Sequence, residues 1–340
     1  MANRKLSKRQ KERIQLIQER RREKAQLKNL ADNNDFDDLN NLGPETTGTL
    51  VTHYGSQVDI EADAAPFAGA IMRCFVRANV DNLVTGDKVI WRPAEPHGVV
   101  VAKEPRTSEL IRPDSYGKLR PVAANIDRIA IVFSPKPNPQ SNLLDRYLVA
   151  AEAQGIEPFL VVNKTDILDS ENDCHVQELI QQYQFIGYQV ICVSAISGEG
   201  LETLKSFLST HSCIFVGQSG VGKSSLLNQL VPESDNAVGA LSAATSEGTH
   251  TTTASKLIHL SGGGVLIDSP GIREFALTHL DANEIILGFK DFRPFLGHCK
   301  FRDCQHDKEI GCALLQAVAD KEVLADRLNN YRQIVNSLNN

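Results

Sequence analysis

The sequence predicts a multi-domain protein. An N-terminal OB-like β-barrel comes first, then a central α/β P-loop domain with its motifs in circularly permuted order, and last a mostly helical domain built on a zinc knuckle. Three observations predict this. Short β-runs broken by turn residues fill the stretch from Thr46 to about Arg106. Continuous apolar strands then alternate with helical segments up to a complete phosphate loop, Gly217–Ser224. Near the end, Cys299, Cys304, His306 and Cys312 stand at metal-ligand spacing. The expected division is a basic arm and linker over 1–45, the barrel over 46–106, the α/β domain over 107–275 and the metal-binding domain over 276–340.

Residues Met1 to about Lys28 carry 11 Lys and Arg against 3 Glu, in a chain whose formal charge is −6. A basic arm thus precedes an acidic body. It reads either as a solvated tail or as an arm that pairs with RNA phosphates and folds on binding. Asn29 to about Pro44, rich in Asn and Asp, reads as a linker. The N-terminus lacks the apolar core of a signal peptide and no apolar run is long enough to span a membrane, which predicts a cytoplasmic protein. Seven cysteines, an odd number with four-ligand clustering at one end, argue for a reducing compartment and against a disulfide framework.

In the barrel region the predicted strands are about Gly48–Tyr54, Ser56–Ile60, Met72–Arg77, Gly86–Trp91 and Gly98–Ala102. Five short strands in some sixty residues suit a small barrel of the OB type, a frequent oligonucleotide platform. The chain crosses between about Glu109 and Arg128 into the α/β domain, whose first strand is Ile129–Phe133. A Pro-rich Ser134–Pro139 loop and helices near Leu143–Gln154, Val176–Tyr183 and Leu201–Leu208 continue the alternation expected of a doubly wound, mostly parallel sheet.

The run Gly217-Gln218-Ser219-Gly220-Val221-Gly222-Lys223-Ser224 follows the apolar strand Cys213–Val216 and leads into a helix, the context that gives a phosphate loop its meaning. Its glycines let backbone N–H groups face a phosphate, and the helix dipole adds to the field. Lys223 is expected to reach the β- and γ-phosphates and Ser224 to bind magnesium. Asn163-Lys164-Thr165-Asp166, after the strand Pro158–Val162, matches the guanine-reading N-K-x-D signature. The Asp166 carboxylate can accept from both N1–H and the exocyclic amine of guanine, a donor pair that adenine lacks. Ser194-Ala195 supplies a second base-contacting loop. The central domain therefore reads as a P-loop GTPase domain that binds GTP or GDP.

Motif order is the oddity. Both base loops precede the phosphate loop, and Asp268-Ser269-Pro270-Gly271 follows all of them, so the domain is circularly permuted. Permutation is tolerated where the original termini lie close together at the surface. Asp268 is expected to hold magnesium through water and the Gly271 N–H to sense the γ-phosphate. Between Pro232 and Thr253 lies a polar segment that reads as the switch loop, with Thr251 the first choice for the magnesium-binding threonine and Thr252 the second. Ile272 stands where a Ras-like GTPase has its water-orienting glutamine, which leaves His250 as the local candidate for that task. Slow intrinsic hydrolysis, faster when a partner orders the loop, is the expectation.

Cys299-x4-Cys304-x-His306-x5-Cys312 is a complete Cys3His set, suited to one structural zinc with no open position. Helices near Asp281–Asp291 and Ala317–Leu338 should pack around it. Lys300 to Asp303 within the knuckle are candidates for RNA contact.

With its basic tail, OB-like barrel, permuted G domain and Cys3His domain, nearly the whole chain resembles the ribosome small subunit-dependent GTPase A family, RsgA. The resemblance implies a cytoplasmic GTP hydrolase that binds the small ribosomal subunit and its rRNA, acts late in subunit maturation, and leaves after hydrolysis stimulated by the subunit; the chain is expected to be a monomer. It carries Gly217–Ser225, including Ser225, and Asn163–Asp166 over as nucleotide-binding residues and the Cys3His set as zinc ligands. It supports His250 as the residue replacing glutamine. Glu247-Gly248-Thr249 departs from the more basic or amide-rich lead-in expected there. Two other readings remain: an RNA-binding assembly scaffold with a structural guanine nucleotide, and a GTPase of translation or tRNA modification.

Overall fold

The structure, a computed structural model, describes residues 42–114, 117–169, 173–231, 255–268 and 277–338. These fall into two compact units. One takes 42–83 with 88–105, and the other takes 84–87 with 106–338.

The first unit is a closed five-stranded barrel of β1 (Thr46–His53), β2 (Gln57–Ala62), β3 (Ile71–Val76), β4 (Lys88–Arg92) and β5 (Gly98–Lys103). β1 pairs with β2, β2 with β3, β3 with β5 and β5 with β4, and β4 returns to β1. All pairings are antiparallel except β3 with β5. Closure leaves no open sheet edge, which is why so small a barrel needs no partner sheet. Leu50, Val58, Ile60, Cys74, Val89, Trp91 and Val100 fill it. Gly48 is required by this packing, because a Cβ there would sit 2.5 Å from Ile60 Cγ2 and 2.6 Å from Trp91 Nε1.

In the second unit the strands are β8 (Arg128–Phe133), β9 (Glu157–Val162), β10 (Val190–Cys192), β11 (Ser212–Val216), β12 (Lys256–His259) and β13 (Val265–Asp268). Their order is β10-β9-β8-β11-β13-β12, parallel except for β12. Alternate residues of β8 serve opposite faces. Ile129, Ile131 and Phe133 join one core cluster, while Ala130 and Val132 join the other. Both faces of the sheet are therefore covered, which is the reason these strands read as continuous apolar runs.

Helices α1 (Ser141–Ala153) and α2 (Cys174–Ile186) contribute to the first cluster; α3 (Leu201–Leu208) and α4 (Lys223–Leu230) contribute to the second. Three C-terminal helices, α5 (Ala282–Gly288), α6 (Ala313–Ala319) and α7 (Ala325–Leu338), join α1 in the first cluster, so they belong to the same compact unit as the sheet. Asp281 and Glu284 form a capping box at the start of α5.

Three details differ from the sequence expectation. The crossing segment holds a hairpin of β6 (Glu109–Pro113) and β7 (Leu119–Ala124), whose Leu110 and Ala123 plug the core while Pro113 and Pro121 obscure the strand pattern. The helix expected over Asp281–Asp291 ends at Gly288, where a Cβ would meet Val149 Cγ1 at 2.8 Å, and a 3-10 helix over Lys290–Phe295 follows. The single helix expected over Ala317–Leu338 is two helices. Lys321 adopts a left-handed φ of 63°, and the Val323 N–H closes back on the Ala317 carbonyl at 3.2 Å. Among the described residues no helix is long and apolar enough to cross a membrane.

Within the second unit, one buried ion pair joins the short stretch 84–87 to the start of the stretch that runs on from Arg106. Asp87 is fully buried and accepts from Arg106 Nε at 2.7 Å, Arg106 Nη2 at 2.9 Å and the Val84 N–H at 2.8 Å. Arg106→Met strands that carboxylate without its cation, so it is expected to lower unfolding free energy by about 3–5 kcal/mol in urea titration. Arg106→Lys should recover only part of that, because the fork geometry is lost.

Candidate guanine-nucleotide site and metal centre

In an open parallel sheet, ligands bind at the carboxyl ends of the strands where the winding reverses. Here the reversal falls between β8 and β11, which pair directly while their successors run to opposite sides. The loop after β8 and the phosphate loop after β11 flank that crevice. The open groove of about 330 Å³ lined by His211, His259 and Gly263 lies at the other ends of these strands, away from the phosphate loop.

The phosphate loop runs from Gly217 to Gly222 and delivers Lys223 as the first residue of α4. Three glycines take positive φ here, Gly217 (142°), Gly220 (84°) and Gly222 (92°). Two are also sterically obligatory. A Cβ on Gly217 would fall 2.1 Å from the Val132 carbonyl oxygen, and one on Gly222 would fall 2.3 Å from Asn163 Nδ2. Lys223 Nζ curls back to donate to the carbonyls of Gly217 at 2.7 Å and Gln218 at 2.9 Å, which places its charge inside the loop. Ser224 and Ser225 are exposed on the first turn of α4.

Asn163 is the joint of the site. Its side chain is buried, donates to the Val221 carbonyl at 2.9 Å and accepts from the Ala195 N–H at 3.2 Å. One amide therefore ties the Asn163–Asp166 loop to both the phosphate loop and the Ser194-Ala195 loop. Lys164, at a left-handed φ of 64°, donates from Nζ to the carbonyls of Gly220 at 2.6 Å and Lys136 at 2.7 Å. The Thr165 N–H donates to the Val193 carbonyl at 3.2 Å. Ser194 Oγ donates to Asp166 Oδ1 and accepts from the Ser197 N–H at 3.0 Å. Asp166 is exposed with its second carboxylate oxygen available. These are the groups a guanine edge needs, brought to one place.

Asp268 ends β13, one residue past Ile267, which pairs with Ile214 of β11. It therefore sits at the same end of the sheet as the phosphate loop. Burial pushes its carboxyl pKa up, and the Lys223 charge opposes that shift. Gly271, His250, Thr251 and Thr252 lie outside the described residues. The contribution of Ser134 and Lys136 was not legible in the sequence beyond the proline-rich loop itself. Ser134 Oγ donates to the Lys136 carbonyl at 2.8 Å, presenting that carbonyl to Lys164.

The second centre lies in the C-terminal region. The ligand atoms of Cys299, Cys304, His306 and Cys312 all lie within 4.8 Å of one another. His306 Nδ1 stands 3.3 Å from Cys312 Sγ, 3.5 Å from Cys299 Sγ and 3.7 Å from Cys304 Sγ, and Cys299 Sγ stands 3.9 Å from Cys312 Sγ. A tetrahedral ion with metal–sulfur bonds of about 2.3 Å calls for ligand separations of roughly 3.6–3.8 Å, so the set fits. Cys312 also caps α6, where its sulfur accepts the Leu315 N–H at 3.4 Å. The loop is braced by Glu309, which accepts from the backbone N–H groups of Gln305, Asp307 and Lys308; those bonds hold its carboxyl pKa down at about 2. Arg332 of α7 grips the carbonyls of His306 at 2.7 Å and Asp307 at 2.6 Å.

The family model described as RsgA GTPase matches residues 103–278. The chain belongs to the RsgA GTPase family. Relatives named small ribosomal subunit biogenesis GTPase RsgA are similar over nearly their whole length. One from Ectopseudomonas mendocina is 51% identical over 99% of this chain and 98% of its own. Another, from Azotobacter vinelandii, is 50% identical with the same coverage. Two solved structures share the fold. YjeQ from Thermotoga maritima matches 87% of this chain and 99% of its own at 29% identity and a TM-score of 0.72. YloQ, described as a circularly permuted GTPase, covers 87% of this chain and 96% of its own at 28% identity and a TM-score of 0.69. As an RsgA GTPase this chain is a GTP hydrolase with a permuted G domain.

The metal centre makes a direct prediction. Cobalt(II) added to metal-free protein should bind at one equivalent with thiolate charge-transfer and tetrahedral d–d bands. Cys304→Ser is expected to weaken those bands and lower the melting temperature of the loaded protein.

Proposed function

We propose that this protein is a monomeric, cytoplasmic GTPase that binds the small ribosomal subunit in its GTP form, acts in the last stages of subunit maturation, and is released when the subunit stimulates hydrolysis. One observation carries the reading: half-identity across 99% of the chain to relatives named for small-subunit biogenesis. The closed OB-like barrel adds a platform suited to RNA.

In this reading Asp166 accepts the guanine N1–H and amine, while Lys164 covers the ring and Ser194-Ala195 flank the base. Asn163 holds the three loops in register. Backbone N–H groups from Gln218 to Ser225 surround the phosphates, and Lys223 moves from the loop carbonyls to the β- and γ-phosphates. Ser224 and Thr251 would hold magnesium directly and Asp268 through water; the ion supplies charge neutralisation at the phosphates. His250 orients the attacking water, and the Gly271 N–H reports the γ-phosphate. The roles of His250, Thr251 and Gly271 rest on sequence alone. At the Cys3His set, three soft thiolates and one imidazole with no open position suit zinc in a structural role.

GTP turnover measured alone, with purified small subunits and with large subunits tests the function. Small subunits should raise the rate by at least about tenfold, modest beside the effect of trans-acting partners on other GTPases. Equal rates with both subunits would refute the triggered switch. Asn163→Ala removes hydrogen bonds to two neighbouring loops, so GDP affinity in fluorescence titration should fall by about tenfold or more. An unchanged affinity would take Asn163 out of the site.

A further inference from the structure

Helices α1 and α7 are joined by a buried ionic network that the nucleotide chemistry does not use. Arg327 and Asp145 are both fully buried and paired, and Arg327 Nη2 also reaches Asp291 at 2.7 Å. Asp145 further accepts from the Tyr183 hydroxyl at 2.7 Å and from Asn330 Nδ2 at 2.7 Å. The same Asn330 amide lies 3.1 Å from Ser141 Oγ, on the first residue of α1. At the margin, Arg146 donates to Ser337 Oγ at 2.6 Å. A buried ion pair seldom outperforms apolar packing in stability, and its best-attested use is to fix register. Burial disfavours the charged guanidinium of Arg327, but its two carboxylates outweigh that and leave its pKa raised.

What α1 carries explains why its register would matter. The segment leading into it, 134–140, presents the Lys136 carbonyl to Lys164, which also binds Gly220 of the phosphate loop. Gln140, Leu143, Leu144 and Tyr147 share a small cavity with Gln218 and Val221 of that loop. Helix α1 and its leading segment thus touch groups of both the base and phosphate loops.

We infer that Arg327 and Asn330 are positioning residues for the guanine nucleotide: through Asp145 and Ser141 they hold α1 and its leading loop where Lys164 can span the base and phosphate loops. The C-terminal helix is then a remote wall of the nucleotide site. A partner that shifts α7 changes nucleotide affinity, and by linkage the nucleotide changes affinity for that partner. The inference rests on the reading of these loops as the nucleotide site.

The test is the dissociation rate of a fluorescent GDP analogue from the full chain, with the melting temperature recorded beside it. Arg327→Lys keeps the charge and loses the fork; Asn330→Ala, the milder change, removes the bonds to Asp145 and Ser141. Each is expected to speed release by about fivefold or more, the lower end of ordinary coupling. Asp291→Asn cuts the arm that does not lead to α1, and it should lower the melting temperature while leaving release within about twofold of wild type. Wild-type release rates in folded Asn330→Ala would overturn the inference, as would equal acceleration by Asp291→Asn. A wild-type chain that binds no guanine nucleotide would instead overturn the reading of the loops, so the two failures are distinguishable.

Discussion

The carboxyl end of the sheet is organised by one buried amide. Asn163 can serve Val221 and Ala195 together only because the backbone at Gly222 comes within a distance that no Cβ would allow. A buried amide left without partners costs more than its bonds return, so the three loops hold their spacing as a set. Lys164 repeats the logic one residue later by bridging Gly220 and Lys136. Four loops from separate parts of the chain are thus cross-tied by the protein's own groups, the preorganisation that binding and electrostatic catalysis both need.

These ties are spatial, which makes the permuted order physically unremarkable. Strand β8 opens the second unit's sheet yet lies at its centre, beside β11, and the crevice forms at that reversal whichever strand comes first in sequence. What permutation does alter is the chain's exit. After Asp268 the polypeptide goes on to the C-terminal helices, and these pack on the same sheet face as α1 and α2.

The Cys3His cluster depends on its surroundings as much as on its four members. Cys312 is both a member of the cluster and a helix cap, Glu309 gathers three backbone donors, and Arg332 holds two carbonyls from α7. Partners of this kind orient the ligands and narrow the range of ions a site will accept. The barrel illustrates another economy. With β4 returning to β1 it has no edge to protect, and a single tryptophan, Trp91, fills much of its small core beneath Gly48.

The sequence by itself determined the parts whose chemistry is local. A phosphate loop is a run of backbone N–H groups, so Gly217–Ser224 declares itself. The N-K-x-D run is four consecutive residues, and the Cys3His set spans fourteen; residue type and spacing carry the information in each case. The barrel strands and the sheet strands were legible too, because side-chain alternation and continuous apolar runs follow from which faces are covered. Only the tertiary structure decided the rest. The β6–β7 hairpin hides behind Pro113 and Pro121. The break between α6 and α7 turns on the left-handed conformation of Lys321, a residue with no sequence signal for it. Lys136 enters the site through a carbonyl, a group every residue has. Asp145 and Arg327 look like surface charges on amphipathic helices and are fully buried partners 182 residues apart. Pairing across that separation is set by how the helices pack, and no local pattern records it.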